Sequence, residues 1–362
     1  MENHLKLFYG TIAISLLLLL NHFLVWQYII VTEDLTWSRV LIYWDSKWYN
    51  QIIRFGYYGR LWAFFPLYPS LVYVASMFSE MQTQWLGTLI STALFLFVSL
   101  AVAYLLMRSY KGEFLPKNLY SWFFFVYAAG SYVYHSLHTE SLFLMCSFLA
   151  FLWAYEGKFI PASIFAGLSW LTRHQGFFVS LCVALLAASD LYKEGQKKKA
   201  IQKFALYFGM SFALFSIYPW YQYWQTDSMF AFIHSQKYWS HATDVYSIFK
   251  TFWFGNPEQM KFSDFVNGIH TVYYFFLWGL VYFLWKKDKI LALYCGLSLF
   301  VLLFQVSLLN IFRFGTVLFP LHFYLGEKVS TSPLWVKGLS IFMLLALNHY
   351  VTWNYVKDYW AY

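Results

Sequence analysis

Long apolar runs recur along the whole chain and are separated by short polar or charged stretches. The first run covers residues 7–31, and ten more follow near residues 85–107, 118–136, 139–155, 159–173, 175–191, 204–224, 269–285, 290–309, 313–327 and 337–355. A helix that spans a membrane needs about 17–25 apolar residues. The pattern therefore predicts an all-α polytopic membrane protein with about 11 transmembrane helices.

One stretch, residues 43–71, combines apolar with charged positions. It reads YWDSKWYNQIIRFGYYGRLWAFFPLYPSL. At helical spacing Trp44, Trp48, Ile52 and Phe55 fall on one face, and Gly56 follows as a C-cap. This spacing predicts an amphipathic helix that lies along the membrane surface with its aromatic face in lipid.

A second surface helix is predicted for residues 64–78, which contain Pro66 and Pro69 near their start. As a full membrane span, this segment would place either the basic loop at residues 108–117 outside or the loop with Asp45 inside. As a helix lying along the outer surface, it leaves every basic loop cytoplasmic, and we favour that interpretation.

Composition supports the membrane assignment. Of the 362 residues, 60% are hydrophobic and only 12% are charged, about half the charged fraction of a soluble domain. The net charge of +8 lies in clusters between apolar runs, where it sets topology rather than binding nucleic acid. Cys146, Cys182 and Cys295 lie far apart in apolar segments and are expected to be core residues.

The basic clusters predict the orientation of the chain. The strongest are Lys193 with residues 197–199 and Lys203, and residues 286–289. Weaker ones are Arg108, Lys111, Lys117, Lys158, Lys328 and Lys337. Basic loops favour the cytoplasm. The prediction is an internal N-terminus, an external C-terminus, and external segments at about residues 32–84 and 225–268. The first apolar run is too long for a signal-peptide core and is expected to be retained.

Asp45 is the first candidate for chemistry, because it lies at the predicted membrane surface. Two interpretations are open. The carboxylate caps the helix that follows, as Asp commonly does. Alternatively, it is a general base facing the head group of a substrate carried by a lipid.

Three further polar clusters interrupt apolar segments on the predicted external side. The first contains His138 and Glu140, the second Arg173 and His174, and the third Arg313. Each has a structural alternative: Thr139 as an N-cap with Glu140 in the first helical turn, and the arginines as anchors at helix ends. Together they predict an external cavity for a lipid phosphate, since arginine binds phosphate through a bidentate fork.

Several motifs resemble one known family. WDSKWYNQIIRFGYY followed by AFFPLYPSL is similar to the signature of PIG-V-type mannosyltransferases and their bacterial relatives. HTESLFL, LTRHQGF and NIFRFGTVLFPL resemble the later motifs, usually written YTESLFL, LTRPTG and RY-x-L-x-x-FPL. The order of the motifs also agrees, to about residue 325. The chain resembles the bacterial branch of this family.

The resemblance implies a single GT-C-like transmembrane domain over residues 1–362. It also implies an inverting glycosyltransferase that moves a sugar, mannose in the family, from a polyprenyl-phosphate donor to a lipid-linked or surface glycan acceptor. The reaction takes place on the non-cytoplasmic face. Cofactors are not required, and a divalent metal is not indicated. We expect an integral, multi-pass protein of a bacterial inner membrane, or of the ER membrane if the chain is eukaryotic, in contact with membrane lipids and not with nucleic acid.

Motif matching also assigns the site. Asp45 matches the family's acidic residue in the first external loop and is the expected base. FAFIHSQKYWS resembles an external Phe-x-x-x-Gln-x-x-Trp segment of the family. The predicted substrate-binding residues are Trp44, Trp48, Tyr49, Arg54, Tyr57, Phe65, Pro66, Tyr68, His138, Glu140, Arg173, His174, Lys237, Trp239 and Arg313.

The chain departs from the family after the motif arginine, where His174 and Gln175 replace Pro and Thr. The substrate is therefore open to differ from that of the family. The alternatives to a glycosyltransferase are a transporter or flippase of a lipid-linked saccharide and an O-antigen ligase or polymerase. A transporter favours internal repeats and broken helices that meet at the membrane midplane, which the sequence does not show.

Overall fold

The computed structural model describes residues 2–107, 115–239, 262–304, 308 and 310–359, with the backbone alone at residues 2–3, 237, 239, 262–267 and 304. Over these ranges every regular element is helical. The α-helices are α1 (Glu2–Thr32), α2 (Trp37–Val40), α3 (Asp45–Phe55), α4 (Leu67–Ser76), α5 (Thr83–Met107), α6 (Leu119–Val126), α7 (Glu140–Tyr155), α8 (Phe159–Trp170), α9 (Gly176–Lys193), α10 (Lys197–Phe215), α11 (Ile217–Thr226), α12 (Ala231–Ser235), α13 (Phe262–Trp285), α14 (Lys289–Val301), α15 (Ile311–Thr316), α16 (Phe319–Ser330) and α17 (Leu334–Val356).

Six helices of the described residues are long and apolar enough to span a membrane. They are His4–Thr32, Thr83–Met107, Gly176–Lys193, Lys197–Thr226, Gly268–Trp285 and Leu334–Val356. The polytopic helical membrane fold is thus supported, whereas the predicted number of about 11 spans is not confirmed. Several predicted spans are shorter helices, such as α8 with 12 residues and α14 with 13.

The chain divides into two compact units. The first unit contains Met1–Tyr43, Ser99–Tyr132 and Ser240–Tyr362, and the second contains Trp44–Val98 and Val133–Trp239. Each unit collects segments that are distant in sequence. The single domain predicted for residues 1–362 stays a prediction.

In the first unit the basic loops meet at one end. The Lys287 ammonium pairs with Glu327, Lys337 lies over the Tyr120 ring, and the Asn118 amide donates to Ser330 Oγ at 2.8 Å. At the opposite end Lys357 pairs with Glu33. Helices α1 and α17 therefore run in the same direction, as the predicted orientation requires.

In the second unit, α7 to α10 form an antiparallel bundle joined by short loops. Lys158 precedes α8, Lys193 ends α9 and Lys197 begins α10, so these lysines lie at one end of the bundle. Glu140 begins α7 and Arg173 lies between α8 and α9, at the other end. The lysines and the candidate site are separated by the length of the helices.

The two helices predicted in the first external segment are present as α3 and α4. Gly56 ends α3 with a positive φ of 79°, as a C-cap glycine does. The buried face differs from the predicted one. Ile52 lies in the protein core while Phe55 is exposed, because the helix turns Tyr49 and Ile53 inward, where they pack with Tyr68 and Leu137.

Some predictions fall outside the described residues. The basic markers Arg108 and Lys111 lie there, as do residues 240–261 of the second predicted external segment. The beginning of that segment, through α12 and a 3-10 turn at Gln236–Trp239, is described with the second unit.

Candidate functional site

Asp45 is the first residue of α3, and the backbone just before it has an uncommon conformation. Trp44 has φ 53° and ψ −128°, a region that residues other than glycine rarely adopt. Such a conformation costs about 1–3 kcal/mol and persists only where the surrounding structure holds it. The chain is therefore held tightly at the point where the candidate base is presented.

The helix-cap interpretation of Asp45 is not supported by this geometry. Trp44 occupies the N-cap position, and Asp45 lies one residue further, inside the first turn. The helix dipole favours a carboxylate there, without requiring it as a cap. Asp45 is half-buried.

Glu140 and Arg173 form a buried ion pair. Arg173 is 6% exposed and Glu140 is 0% exposed. The same Arg173 nitrogen donates to Thr139 Oγ1 at 3.2 Å, and its Nε donates to Gln175 Oε1 at 3.1 Å. The arginine thus binds the beginning of α7 to the loop that precedes α9.

This pairing bears on the structural alternatives for both residues. Thr139 does occupy the N-cap position of α7, but its side chain accepts from Arg173 instead of capping the helix. Arg173 is too deeply buried to be a solvent-reaching anchor. Removal of one partner from such a pair destabilises a fold by about 3–5 kcal/mol. A contact of Arg173 with donor phosphate stays a prediction.

The loop that carries Arg173 is a tight connection of five residues, 171–175. A Cβ atom at Gly176 would lie 2.1 Å from the Trp170 nitrogen, so glycine is required where the chain turns back. Leu67 donates its backbone N–H to the Leu171 carbonyl at 3.0 Å. The LTRHQG and FFPLYP motifs are thereby joined directly.

His138 joins the second motif to the first. Its Nδ1 lies 3.1 Å from Ser46 Oγ and 2.8 Å from Ser136 Oγ. Ser91 Oγ donates to the His138 carbonyl at 3.2 Å and lies 2.8 Å from the Tyr68 hydroxyl. His138 and Tyr68 are 0% exposed, and their hydrogen bonds connect α3, α4 and α5 with the segment before α7.

An aromatic cluster joins the first predicted external segment, residues 32–84, to α11. The Tyr57 ring stacks on Trp62 with centroids 4.9 Å apart, and Phe65 packs on Tyr218. The Tyr218 hydroxyl lies 2.8 Å from the Trp62 and Phe64 carbonyls. Burial raises the pKa of the Tyr57 phenol well above its usual range, so Tyr57 is neutral at physiological pH.

The exposed side chains in and just after α3 include three cations. Lys47, Arg54 and Arg60 are exposed. Arg60 and Lys47 both lie over the half-buried Trp48 ring, at 4.3 and 5.3 Å from its centroid. These cations, unlike Arg173, are open to an anionic ligand.

The remaining predicted residues are placed as follows. Tyr49 is buried and packs on Phe64 and Tyr68. Pro66 is the N-cap residue of α4, and His174 is half-buried in the loop before α9. Lys237 and Trp239 lie in the 3-10 turn at Gln236–Trp239, and their side chains are outside what is described.

Near this turn, Ser235 Oγ donates to the Gly59 carbonyl at 3.2 Å. The beginning of the second predicted external segment therefore contacts the first within the second unit. This contact agrees with the sequence prediction that both segments lie on the same side.

Arg313 belongs to the first unit. It is 3% exposed in α15, where the Gly130 amide donates to Thr316 Oγ1 at 2.9 Å and Phe312 packs on the His270 ring at 4.5 Å. The expected convergence of Arg313 with Asp45 stays a prediction. In the second unit the structure brings together the motifs that contain Asp45, His138, Glu140 and Arg173.

Sequence reasoning missed the partners that connect these motifs. Ser46 and Ser136 bind His138, Ser91 lies behind it, and Gln175 binds Arg173. The sequence contains only weak signals that could have identified these hydrogen-bond partners. Ser46 directly follows Asp45 in the most specific motif, but Ser91 is an ordinary small residue within an apolar helix. Across the described ranges, no group of three His, Cys, Asp or Glu residues is placed to hold a metal ion.

Comparison with known proteins adds no family. No protein-family model matches the chain, and no curated protein matches it either.

Proposed function

We propose that this protein is a membrane glycosyltransferase. It moves a sugar, mannose by its resemblance to the PIG-V-type family, from a polyprenyl-phosphate donor to a lipid-linked or surface glycan acceptor. The observation that carries the proposal is the joining of three motifs at one end of the second unit. Ser46, next to Asp45, binds His138, and Glu140, two residues later, pairs with Arg173.

The position of this end supports an external reaction. It lies at the opposite end of α7 to α10 from Lys158, Lys193 and Lys197. Basic loops favour the cytoplasm, so the Asp45 end faces outward, where a lipid carrier presents its sugar after crossing the membrane. A bacterial inner membrane is the proposed location.

The proposed step is a direct displacement. The acceptor hydroxyl oxygen attacks the anomeric carbon, and its proton passes to the Asp45 carboxylate. The bond from the anomeric carbon to the phosphate oxygen breaks, and polyprenyl phosphate leaves with the electron pair. A single displacement inverts the anomeric carbon.

The surroundings of Asp45 suit these roles. The half-buried carboxylate lies at the N-terminal end of a helix, where the helix dipole favours negative charge. Exposed Lys47, Arg54 and Arg60 on the same loop offer charge to the leaving phosphate. The exposed aromatic side chains of Phe55 and Tyr58, at 69% and 52%, offer apolar contact to lipid.

The test is turnover of Asp45→Asn in lipid nanodiscs, with a panel of polyprenyl-phosphate sugars and detection of released polyprenyl phosphate. We expect turnover to fall by at least about 100-fold, because a general base contributes that much or more. Asp190→Asn is the matched control, since the Asp190 side chain is 85% exposed at the lysine end, where it pairs with Lys193 and accepts from Ser189 Oγ at 3.5 Å.

Near wild-type turnover in Asp45→Asn would remove the base assignment. Absence of released lipid phosphate from the wild-type protein with every donor would contradict the enzyme itself. Movement of a lipid-linked saccharide between leaflets, without that release, would identify a flippase.

A further inference from the structure

A chain of buried polar side chains lies directly behind the beginning of α3. It consists of Ser46, His138, Ser136, Ser91 and Tyr68, and we call it the serine–histidine chain. All five residues are 0% exposed. Such a fully buried network is rigid when its members are satisfied, since water cannot substitute for a lost partner.

The hydrogen bonds of the serine–histidine chain are continuous. Ser46 Oγ lies 3.1 Å from His138 Nδ1, and Ser136 Oγ lies 2.8 Å from the same atom. The His138 carbonyl accepts from Ser91 Oγ at 3.2 Å, and Ser91 Oγ lies 2.8 Å from the Tyr68 hydroxyl. Tyr68 in turn donates to the Gly87 carbonyl at 3.0 Å. The serine–histidine chain thus connects α3 to α4, α5 and the segment before α7.

The Ser46 end of the serine–histidine chain lies next to Asp45. Ser46 is the second residue of α3, adjacent to Asp45 and two residues after the strained Trp44 backbone. A backbone in a rarely populated conformation relaxes unless its neighbours hold it. A side chain anchored at Ser46 supplies such a restraint one residue beyond the candidate base.

We propose that His138 is a positioning residue that fixes the beginning of α3, and with it the Asp45 carboxylate, through Ser46. The part of this inference that concerns sugar transfer rests on the proposed function. His138 does not contact substrate in this proposal. Its burial and the two hydroxyls at Nδ1 give it a role behind the site.

The geometry suggests matched substitutions. In His138→Asn the amide of the shorter side chain lies near the former Nδ1 and can accept from both hydroxyls, whereas in His138→Gln the amide lies one carbon further out. Ser46→Ala removes the contact from the other side. Ser147→Ala is the control, because Ser147 is equally buried but its hydroxyl donates to the Leu144 carbonyl of its own helix.

The first measurement does not depend on activity. Amide hydrogen exchange is followed by mass spectrometry for peptides that cover residues 44–50, with the protein in nanodiscs. We expect exchange to quicken by about 10-fold in Ser46→Ala and His138→Gln, as for the loss of one buried hydrogen bond. In His138→Asn and Ser147→Ala it should stay near the wild-type rate.

The second measurement is sugar transfer with whichever polyprenyl-phosphate sugar the wild-type protein uses. Misplacement of a catalytic group by about 1 Å costs up to about 100-fold in rate. We expect kcat to fall by about 10- to 100-fold in Ser46→Ala and His138→Gln, with donor KM within about twofold, and to recover in His138→Asn.

The outcomes separate this inference from the proposed function. Unchanged exchange at residues 44–50 in Ser46→Ala and His138→Gln would overturn the positioning role, whether or not the protein transfers sugar. If exchange changes as expected but no donor is turned over by the wild-type protein, the glycosyltransferase proposal fails while the anchoring of α3 stands. A rise in donor KM with unchanged kcat would overturn positioning in favour of substrate contact.

Discussion

In the second unit Glu140 and Arg173 form a buried ion pair at helix ends, whereas in the first unit His22 and Asn348 form a buried neutral hydrogen bond between two candidate spans. Asn348 Nδ2 donates to the Ala128 carbonyl and to Ser131 Oγ. Its Oδ1 is therefore the acceptor, and His22 Nε2 is the donor at 2.8 Å.

The two clusters serve different purposes. Neutral hydrogen bonds between membrane helices contribute modestly, by about 0.6–2 kcal/mol, and their use is helix association. Burial of an ion pair is costly and adds little net stability. The neutral hydrogen bond of the first unit joins helices without the cost of burying charge. We therefore infer that the charges of Glu140 and Arg173 in the second unit serve the candidate site that they border.

The largest expected effect comes from breaking the ion pair. Arg173→Met leaves Glu140 buried without its cation, and we expect a loss of about 3–5 kcal/mol in stability. Thermal unfolding in nanodiscs measures it. Lys193→Met is the control, because it removes an exposed ion pair, with Asp190, that is worth at most about 1 kcal/mol.

The double variant Glu140→Gln with Arg173→Met sharpens this test. Removal of both charges should recover most of the stability, since replacing a buried pair by neutral groups is often tolerated. Turnover should remain low if the charges serve the site. A double variant as unstable as Arg173→Met would contradict the electrostatic explanation.

A smaller effect is expected in the first unit. Asn348→Leu removes the acceptor for His22 and the donor to Ala128 and Ser131, and we expect a loss of about 1 kcal/mol. Asn354→Leu, on the same helix but half-exposed, is the control. A loss equal to that of Arg173→Met would remove the distinction between the two clusters.

The smallest effect concerns Tyr57, a neutral group beside the charged site. Its pKa is raised by burial, so its protonated form stabilises the fold. That contribution is complete below pH about 10, the unfolded pKa, and is lost as pH rises toward the folded pKa. Between pH 9 and 11 the wild-type melting temperature should fall more than that of Tyr57→Phe.

Tyr58→Phe provides the comparison for that experiment, because Tyr58 is 52% exposed and its hydroxyl donates to Gln51. It should behave like the wild-type protein over the same pH range. An identical alkaline decrease in Tyr57→Phe and in the wild-type protein would show that folding does not raise the pKa of Tyr57.

The sequence alone determined the membrane class, the helical character and, within each unit, which described basic loops lie at one end. These features depend only on residues close together in the sequence: apolar runs, Lys and Arg positions, and the C-cap Gly56. It also identified the motifs of Asp45, His138, Glu140 and Arg173 as places where polarity interrupts apolar segments.

Only the tertiary structure decided what those residues do to one another. Glu140 and Arg173 are 33 residues apart, and Ser46 and His138 are 92 apart, so no local pattern shows that they pair. The inward turn of Ile52 and the lengths of the short helices also depend on packing. Periodicity places side chains on a face of a helix, but the neighbours decide whether that face meets lipid or protein.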